Sequence, residues 1–193
     1  MSQGRSEFTI YTIGHSTRSL AELVEMLQSH DGRTLADVRA FPGSRRYPHF
    51  NAEALGEELP RLGLTYLPFP SLGGRRKTSP DSPNTGWRNA SFRGYADYMQ
   101  TPAFAEALEE LIAAAKASPT AIMCSEAVPW RCHRSLIADA LLVRGWCVLD
   151  IMSSSKATEH KLTPFAVVEG VQIVYPAAKG PELFASTTVP NQK

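Results

Sequence analysis

Apolar and polar residues alternate along the chain in a way that predicts strands separated by helices. Short apolar runs of the kind found in buried strands cover 8–13, 34–39, 64–67, 120–123 and 147–151. Between these runs, apolar residues recur three or four positions apart, as on the buried face of a helix. A short hairpin is predicted over 165–175. The alternation predicts one α/β domain with a mainly parallel sheet and helices on both faces.

Two helix starts carry clear sequence signals. Ser19 and Glu22 form a capping-box pair before the first helix. Pro129 predicts the start of the last helix, because proline is favoured at the first helical position. That helix would carry Cys132 and His133 on its first turn, both facing inward toward the end of the preceding strand.

One internal stretch breaks the pattern. Residues 75–91 are rich in Arg, Lys, Ser, Pro and Gly, and Trp87 is their single large apolar side chain. We expect a mobile loop there that could close over an anionic ligand. The tails 1–7 and 177–193 are expected to be flexible, so that the chain is a single domain over 1–193 with loose ends.

The composition limits the function mainly by the kinds of partner that it excludes. The chain has 193 residues, with 20 Lys and Arg against 19 Asp and Glu, a formal net charge of +1. Any nucleic-acid contact would therefore need a local basic patch. No apolar run approaches membrane-spanning length, so no membrane contact is expected. An odd count of three cysteines and a polar start favour a reducing cytoplasm.

Polar clusters follow four of the predicted parallel strands. In such sheets, ligands bind at the carboxyl ends of the strands, so these clusters are expected to share one edge and form a composite site. The residues concerned are Gly14, His15 and Ser16, then Asp37 and Arg39, then Gly73, Gly74 and Arg75, and finally Cys124 and Glu126.

The densest collection of reactive side chains lies in 122–134. It holds Cys124 at a strand end, Glu126, and then Cys132, His133 and Arg134 at a helix start. A buried cysteine alone is more often a small hydrophobic residue of the core. A core role does not require imidazole, carboxylate and guanidinium at the same turn, so the cluster as a whole favours a site.

These motifs together resemble the DUF488 family of bacterial and archaeal proteins. The matching segments are Gly14-His15-Ser16, Asp37-Val38-Arg39 with Pro42 and Ser44, Leu72-Gly73-Gly74, Phe92-Arg93-Gly94-Tyr95, and Cys124-Ser125-Glu126 leading to Cys132-His133-Arg134. A weaker match lies at Glu159-His160. The resemblance implies an α/β domain with its site at the strand ends and leaves the reaction open.

We favour an enzyme that uses a cysteine thiolate on a phosphorylated or other anionic substrate, including a nucleotide or a nucleic-acid end. A helix start and nearby cations stabilise a thiolate and attract anions. The predicted catalytic residues are Cys124, His133, Glu126, His15 and Asp37. The predicted substrate-binding residues are Ser16, Arg39, Ser44, Gly73, Gly74, Arg75, Trp87 and Arg134.

Two alternatives remain open at this point. Cys124, Cys132, His133 and His15 are candidate ligands for Zn or Fe, although their spacing matches no standard zinc motif. A nucleotide or nucleic-acid binding module without catalysis is the other alternative. It would use the cations and aromatic residues of the loop that contains Trp87.

Overall fold

A computed structural model describes residues 8–177 of the chain. The predicted flexible tails lie outside these residues, apart from Ala177. A six-stranded sheet has the order β3-β2-β4-β1-β5-β6, and all its pairings are parallel except that of β5 with β6. Its strands are β1 (Thr9–Gly14), β2 (Thr34–Asp37), β3 (Thr65–Pro68), β4 (Thr120–Cys124), β5 (Cys147–Ser153) and β6 (Lys156–Glu159).

Helices cover both faces of this sheet. They are α1 (Leu20–Gln28), α2 (Ala52–Arg61), α3 (Ala90–Tyr98), α4 (Pro102–Ala117) and α5 (Arg134–Leu142). One core contains the apolar faces of α3, α4 and α5, and the other contains those of α1 and α2. The central strands are buried on both sides, which explains their unbroken apolar runs. The predicted α/β class, with one domain and a mainly parallel sheet, is confirmed.

Several local predictions are confirmed, and one strand was missed. Ser19 and Glu22 form the predicted capping box at the start of α1. The predicted hairpin consists of β7 (Val167–Glu169) and β8 (Gln172–Val174). Strand β6 was not predicted, because its four residues are partly or fully exposed at the sheet edge and carry no apolar run. Helix α3 was recognised only through its aromatic residues.

The topology creates a crevice between β1 and β4. These strands are neighbours in the sheet. From β1 the chain enters α1 on one face, whereas from β4 it leads to α5 on the other face. Two adjacent parallel strands whose connections leave in opposite directions form a topological switch point, the usual ligand position in such sheets.

Within the described residues, none of the helices is both long and apolar enough to pass through a membrane.

Candidate functional site

A cavity of about 690 Å³ opens at the carboxyl ends of the strands. Its wall is formed by the segments that follow β1, β2, β3 and β4, together with the start of α3. Cys124 and Cys132 contribute to this wall with side chains that are only 6% and 3% exposed. The expected meeting of the four polar clusters at one edge is therefore present in the structure.

Two sulfurs and an imidazole nitrogen meet on one side of this cavity. The Nδ1 atom of His133 lies 3.9 Å from Cys124 Sγ and 3.7 Å from Cys132 Sγ. All three atoms are within 4.8 Å of one another. The Ser125 hydroxyl is 3.9 Å from Cys124 Sγ. This group of Cys124, Cys132 and His133 is called the Cys–His cluster below.

A backbone carbonyl fixes the orientation of His133. Its Nε2 lies 2.9 Å from the Val38 carbonyl oxygen. Since a carbonyl only accepts hydrogen bonds, Nε2 carries a proton. In the neutral ring, Nδ1 then presents a lone pair toward both sulfurs. Gly74 makes room for the ring, because a Cβ atom there would lie 3.0 Å from Nδ1.

The pKa values of the two thiols are shifted in opposite directions. The neighbouring Cys132 thiol outweighs the effect of burial and holds the pKa of Cys124 below its ordinary value. The hydrogen bond to Cys124 and burial raise the pKa of Cys132. The lower pKa belongs to Cys124 and the higher one to Cys132, so Cys124 is the first of the two thiols to become a thiolate.

The backbone before the Cys–His cluster differs from the prediction. Pro129 begins a 3-10 turn that ends at Arg131, and α5 begins only at Arg134. Cys132 between them is extended, with φ −135° and ψ 143°. The predicted continuous helix from Pro129 is therefore wrong, although Cys132 and His133 still face the cavity.

Arg39 is the cation most firmly fixed at the site. Its side chain donates to both carboxylate oxygens of Asp37, at 2.8 and 2.6 Å, and to the Phe50 carbonyl at 2.8 Å. Tyr66 donates to the same carboxylate at 2.8 Å. The Arg39 NH1 group lies 3.3 Å from His15 Nε2. Of the five N–H groups of a guanidinium, one on NH1 remains for a ligand in the cavity, and Arg39 lines that cavity.

His15 and Asp37 act on Arg39 rather than directly on a ligand. Asp37 is buried and is not part of the cavity wall. His15 donates from Nδ1 to the Ser16 carbonyl and accepts from Arg39 at Nε2, so both ring nitrogens are occupied. Burial and the Arg39 charge lower the pKa of His15 to about 4. A neutral His15 with both nitrogens in use is poorly suited to the predicted role of base or metal ligand.

Gly14 allows the segments after β1 and β4 to approach closely. A Cβ atom at Gly14 would fall 1.9 Å from the Glu126 carbonyl oxygen. The approach is completed by hydrogen bonds from the His15 and Ser16 amides to the Cys124 and Ser125 carbonyls, at 3.0 and 2.9 Å. Only glycine permits this contact, which places His15 beside Cys124.

Arg134 does not reach the cavity, contrary to its predicted role as a substrate-binding residue. It is 1% exposed, and its guanidinium donates to the carbonyl oxygens of Glu126 and Ala127. It therefore stabilises the segment that follows Cys124.

The Glu126 side chain is exposed at the cavity wall, whereas Gly73 packs against Ala40 and lies outside the wall.

Ser16, Ser44 and Arg75 line the cavity as predicted substrate-binding residues. Ser16 and Arg75 have φ values of +50° and +62°, which are uncommon for residues with a side chain. Strained backbone of this kind often occurs at binding sites. Two further residues of the wall, Phe41 and Arg131, were not assigned to the site from the sequence.

Trp87 packs away from the cavity, contrary to its predicted contact with substrate. It stacks on Phe92 at 4.7 Å between ring centroids and contacts Phe165 and Tyr175. The neighbouring cations are also occupied, since Arg76 lies over the Tyr98 ring and donates to two carbonyls. These contacts disfavour a nucleic-acid surface built on this loop.

A second buried polar group lies outside the cavity and was missed. His160 bonds Asp139 at 3.0 Å and Asp150 at 3.3 Å. Tyr175 donates to Asp139 at 2.9 Å, and Thr12 donates to Asp150. The only sequence signal was the weak match at His160. We call this group the Asp–His–Asp clasp; it ties α5, β5 and the segment after β6 together.

Comparison with known proteins identifies one relationship. A family model described as "Domain of unknown function DUF488" matches residues 19–141. This range contains Arg39 and the Cys–His cluster, together with most of the cavity wall. No curated protein gives a significant match to the chain, and no solved structure does.

Proposed function

The chain belongs to the DUF488 family, and we propose that it is an enzyme whose Cys124 thiolate attacks an anionic substrate bound beside Arg39. The observation that carries the proposal is the position of both groups on one cavity wall. The Cys124 sulfur lies 3.9 Å from the Ser125 hydroxyl and has a lowered pKa, and Arg39 has an N–H group left for an anion. A nucleophile and an anion-binding group are thus placed side by side.

Each neighbour of Cys124 would have a distinct role in this reaction. Arg39 binds the anionic group, with Asp37 and His15 fixing its orientation. Cys132 and Ser125 stabilise the thiolate by donating hydrogen bonds. His133 Nδ1, whose lone pair faces the sulfurs, can accept a proton and return it to a leaving group.

The other residues of the wall favour a phosphorylated substrate with an aromatic part, such as a nucleotide. Arg75 and Arg131 add two cations to Arg39. Phe41 is 73% exposed on the wall, and the Arg75 guanidinium lies 5.8 Å from its ring centroid. An exposed aromatic ring beside cations can stack on a base while the cations bind phosphate.

A cytoplasmic location suits this proposal. The three cysteines are unpaired in the structure. A reducing compartment keeps such thiols available for reaction.

Alkylation kinetics test the proposed nucleophile. With iodoacetamide near neutral pH and mass-spectrometric peptide mapping, Cys124 should react faster than the partly buried Cys147. A nucleoside monophosphate should slow the reaction at Cys124 and leave that at Cys147 unchanged. Equal or slower alkylation of Cys124 in folded, chelator-treated protein would contradict the proposal.

A metal centre is the second candidate, favoured by the orientation of His133. Tetrahedral zinc has Zn–S distances of about 2.3 Å and Zn–N distances of about 2.0–2.1 Å, which place neighbouring ligand atoms roughly 3.5–3.8 Å apart. The two sulfur–nitrogen distances of 3.7 and 3.9 Å are close to that range. The hydrogen bond to Val38 is the outer contact that metal-binding histidines usually make.

The Cys–His cluster would hold zinc or iron with one position left toward the cavity. The metal would act as a Lewis acid on the substrate. Elemental analysis of protein purified without a chelator or a metal-affinity tag separates the two candidates. About one metal ion per chain, lost in a Cys132→Ser variant, would favour the metal centre; a metal-free protein with a reactive Cys124 favours the thiolate enzyme.

A further inference from the structure

We propose that Cys132 is the resolving thiol for Cys124, so that the site reduces an anionic disulfide by two electrons. The inference rests on the proposed nucleophilic role of Cys124 and adds a substrate class to it. A second thiol is not needed by an enzyme that only forms and hydrolyses an intermediate on one cysteine. Its place beside the first, on the wall of the same cavity, points to dithiol chemistry.

The distance and the backbone both allow the two sulfurs to join. Cys124 Sγ and Cys132 Sγ lie within 4.8 Å. A disulfide requires a separation of about 2.05 Å, which side-chain rotation and a small backbone shift can provide. Cys124 ends a strand, whereas Cys132 is an extended residue between a 3-10 turn and α5. The Cys132 amide donates to the Pro129 carbonyl and the Cys132 carbonyl accepts from the Ser135 amide, so closure of the S–S bond depends mainly on rotation of the two side chains.

The His133 imidazole lies beside Cys132, where it can act as a base when Cys132 attacks the Cys124 sulfur. His133 Nδ1 is 3.7 Å from Cys132 Sγ, and its lone pair faces that sulfur because Nε2 donates to Val38. Cys132 has to lose its proton before it can attack. An adjacent, correctly oriented imidazole can accept that proton.

The reaction proceeds in two exchanges. The Cys124 thiolate attacks one sulfur of a disulfide R–S–S–R′, the S–S bond breaks, and R′–S⁻ leaves and takes up a proton. This step forms a mixed disulfide between Cys124 and R. Cys132 then gives its proton to His133 and attacks the Cys124 sulfur. R–S⁻ leaves with that proton, and the two cysteines are joined. The substrate is reduced by two electrons and the protein is oxidised by two.

The charge of the cavity selects for anionic disulfides. Arg39, Arg75 and Arg131 lie on the wall, against the single carboxylate of Glu126. A carboxylate or phosphate on R would bind the free N–H group of Arg39 while the S–S bond lies over Cys124. Cationic disulfides would meet repulsion from the same three side chains.

The test uses 5,5′-dithiobis(2-nitrobenzoate), an aromatic anionic disulfide, on reduced and chelator-treated Cys147→Ala protein. Each protein molecule should release two equivalents of the coloured thiolate from one equivalent of reagent. Its mass should fall by two hydrogen atoms, with a disulfide mapped between Cys124 and Cys132. The Cys132→Ser variant should release one equivalent of thiolate and keep the other half of the reagent as a mixed disulfide on Cys124. For each disulfide, the rate at Cys124 is divided by the rate with a free thiol. This ratio should be lower for cystamine, a cationic disulfide, than for the anionic reagent.

The outcomes separate this inference from the proposed function. If Cys124 forms a stable mixed disulfide in protein that retains Cys132, the resolving role is overturned and the nucleophile stands. If Cys124 does not react with the reagent at all in folded protein, both proposals fail. A resolving rate that stays unchanged in His133→Asn would overturn the role of the imidazole. Circular dichroism and urea unfolding show whether each variant remains folded.

Discussion

Arg39 is a charged side chain that is only 8% exposed, and its position depends on several partners at once. Asp37 neutralises it, His15 accepts from its NH1 group, and the Phe50 carbonyl accepts from NH2, which also donates to Asp37. The remaining N–H group belongs to a guanidinium that lines the cavity and is held by all three of these partners. A preoriented guanidinium of this kind binds an anion with little loss of side-chain entropy.

The buried pair of Arg39 and Asp37 leads to a stability prediction. Asp37→Asn should lower the free energy of unfolding by roughly 3 kcal/mol, because the Arg39 charge would remain buried without its counter-charge. Tyr66→Phe removes one neutral donor to the same carboxylate and should cost about 1 kcal/mol. Urea unfolding of the two variants measures both values. Equal losses would show that Arg39 finds another counter-charge when Asp37 is neutralised.

Gly14 allows a second prediction at this scale. Gly14→Ala should displace the Glu126 carbonyl, since the added methyl group would overlap it. The displacement should weaken the hydrogen bond from Arg134 to this carbonyl and slow Cys124 alkylation severalfold. The free energy of unfolding should fall by about 1–3 kcal/mol. Gly43→Ala is a matched control, because a Cβ atom there meets nothing within 4 Å. An unaltered Cys124 reactivity in Gly14→Ala would contradict the importance of this contact.

Two arginines show why residue roles at the site could be predicted only in part. Arg39 and Arg134 both follow strand-end motifs and were assigned to anion binding. The structure leaves Arg39 on the cavity wall and turns Arg134 toward the carbonyls of Glu126 and Ala127. Sequence spacing gives the location of a side chain along an element. It does not show which buried carbonyls need a donor, and that need decided the direction of Arg134.

At the scale of elements, the long apolar runs were predictable and the turns were not. Strands β2 and β4 are buried along their whole length, and their runs of apolar residues identify them, whereas the edge strand β3 is partly exposed. The helix predicted from Pro129 failed because proline suits the first position of a 3-10 turn as well as that of an α-helix. Apolar periodicity begins only after Cys132, so it could not reveal the break.

The Asp–His–Asp clasp predicts a pH-dependent stability. Burial lowers the pKa of His160, but the hydrogen bonds that its ring donates to Asp139 and Asp150 outweigh burial and raise this pKa from 6.5 to about 9. A raised folded pKa stabilises the fold fully below about pH 6.5, and this stabilisation is lost as the pH rises toward 9. The loss should be roughly 2–4 kcal/mol, since each pKa unit corresponds to about 1.4 kcal/mol.

Urea unfolding between pH 6 and pH 9 measures this dependence. The stability of the unmodified protein should decline over this range, and His160→Gln should flatten the decline. His30→Gln is the control, because His30 bonds the Ser153 carbonyl rather than a carboxylate. A decline of the same size in His160→Gln would assign the pH dependence to other groups.

The loop 75–91 is attached by polar contacts, and its predicted mobility remains a prediction. Asp97 accepts hydrogen bonds from the Ser79 amide, the Ser82 hydroxyl and the Asn84 side chain. Asp97→Ala should raise amide hydrogen exchange in 79–86 by about tenfold or more, because these bonds hold the loop to α3. Glu106→Ala, at an exposed position of α4, serves as the control. Exchange that does not respond to Asp97→Ala would show that other contacts order the loop.

For the whole molecule, the fold class and the edge that carries the cavity could be predicted, whereas the division of roles inside the cavity could not. The edge follows from topology, because the ends of parallel strands lie together. The roles depend on loop conformations, such as the positive φ of Ser16, which no periodic pattern encodes. The clasp was missed for a related reason, since its three charged members belong to α5, β5 and the segment after β6, and only the packing of these elements brings them together.

Because the whole chain is nearly neutral, the proposed anion binding would be a local property of the cavity. With a net charge of +1, the field far from the cavity is weak, while three arginines line the cavity itself. We predict that the affinity for a nucleoside monophosphate depends only weakly on salt. A short single-stranded oligonucleotide should bind with little higher affinity than the monophosphate. Titrations between about 50 and 200 mM salt measure both slopes. A slope corresponding to six or more phosphates would indicate an extended nucleic-acid track instead.

The central claim, a thiolate nucleophile in an anion-receiving cavity, is tested most directly by comparing two alkylating reagents at Cys124. Iodoacetate is anionic and iodoacetamide is neutral, so the ratio of their rates reports the local charge at the sulfur. In chelator-treated Cys147→Ala protein, we predict a ratio above that of a free thiol and a fall in this ratio of about tenfold in Arg39→Met. A Cys124 that reacts with neither reagent, or a ratio that Arg39→Met leaves unchanged, would contradict the claim.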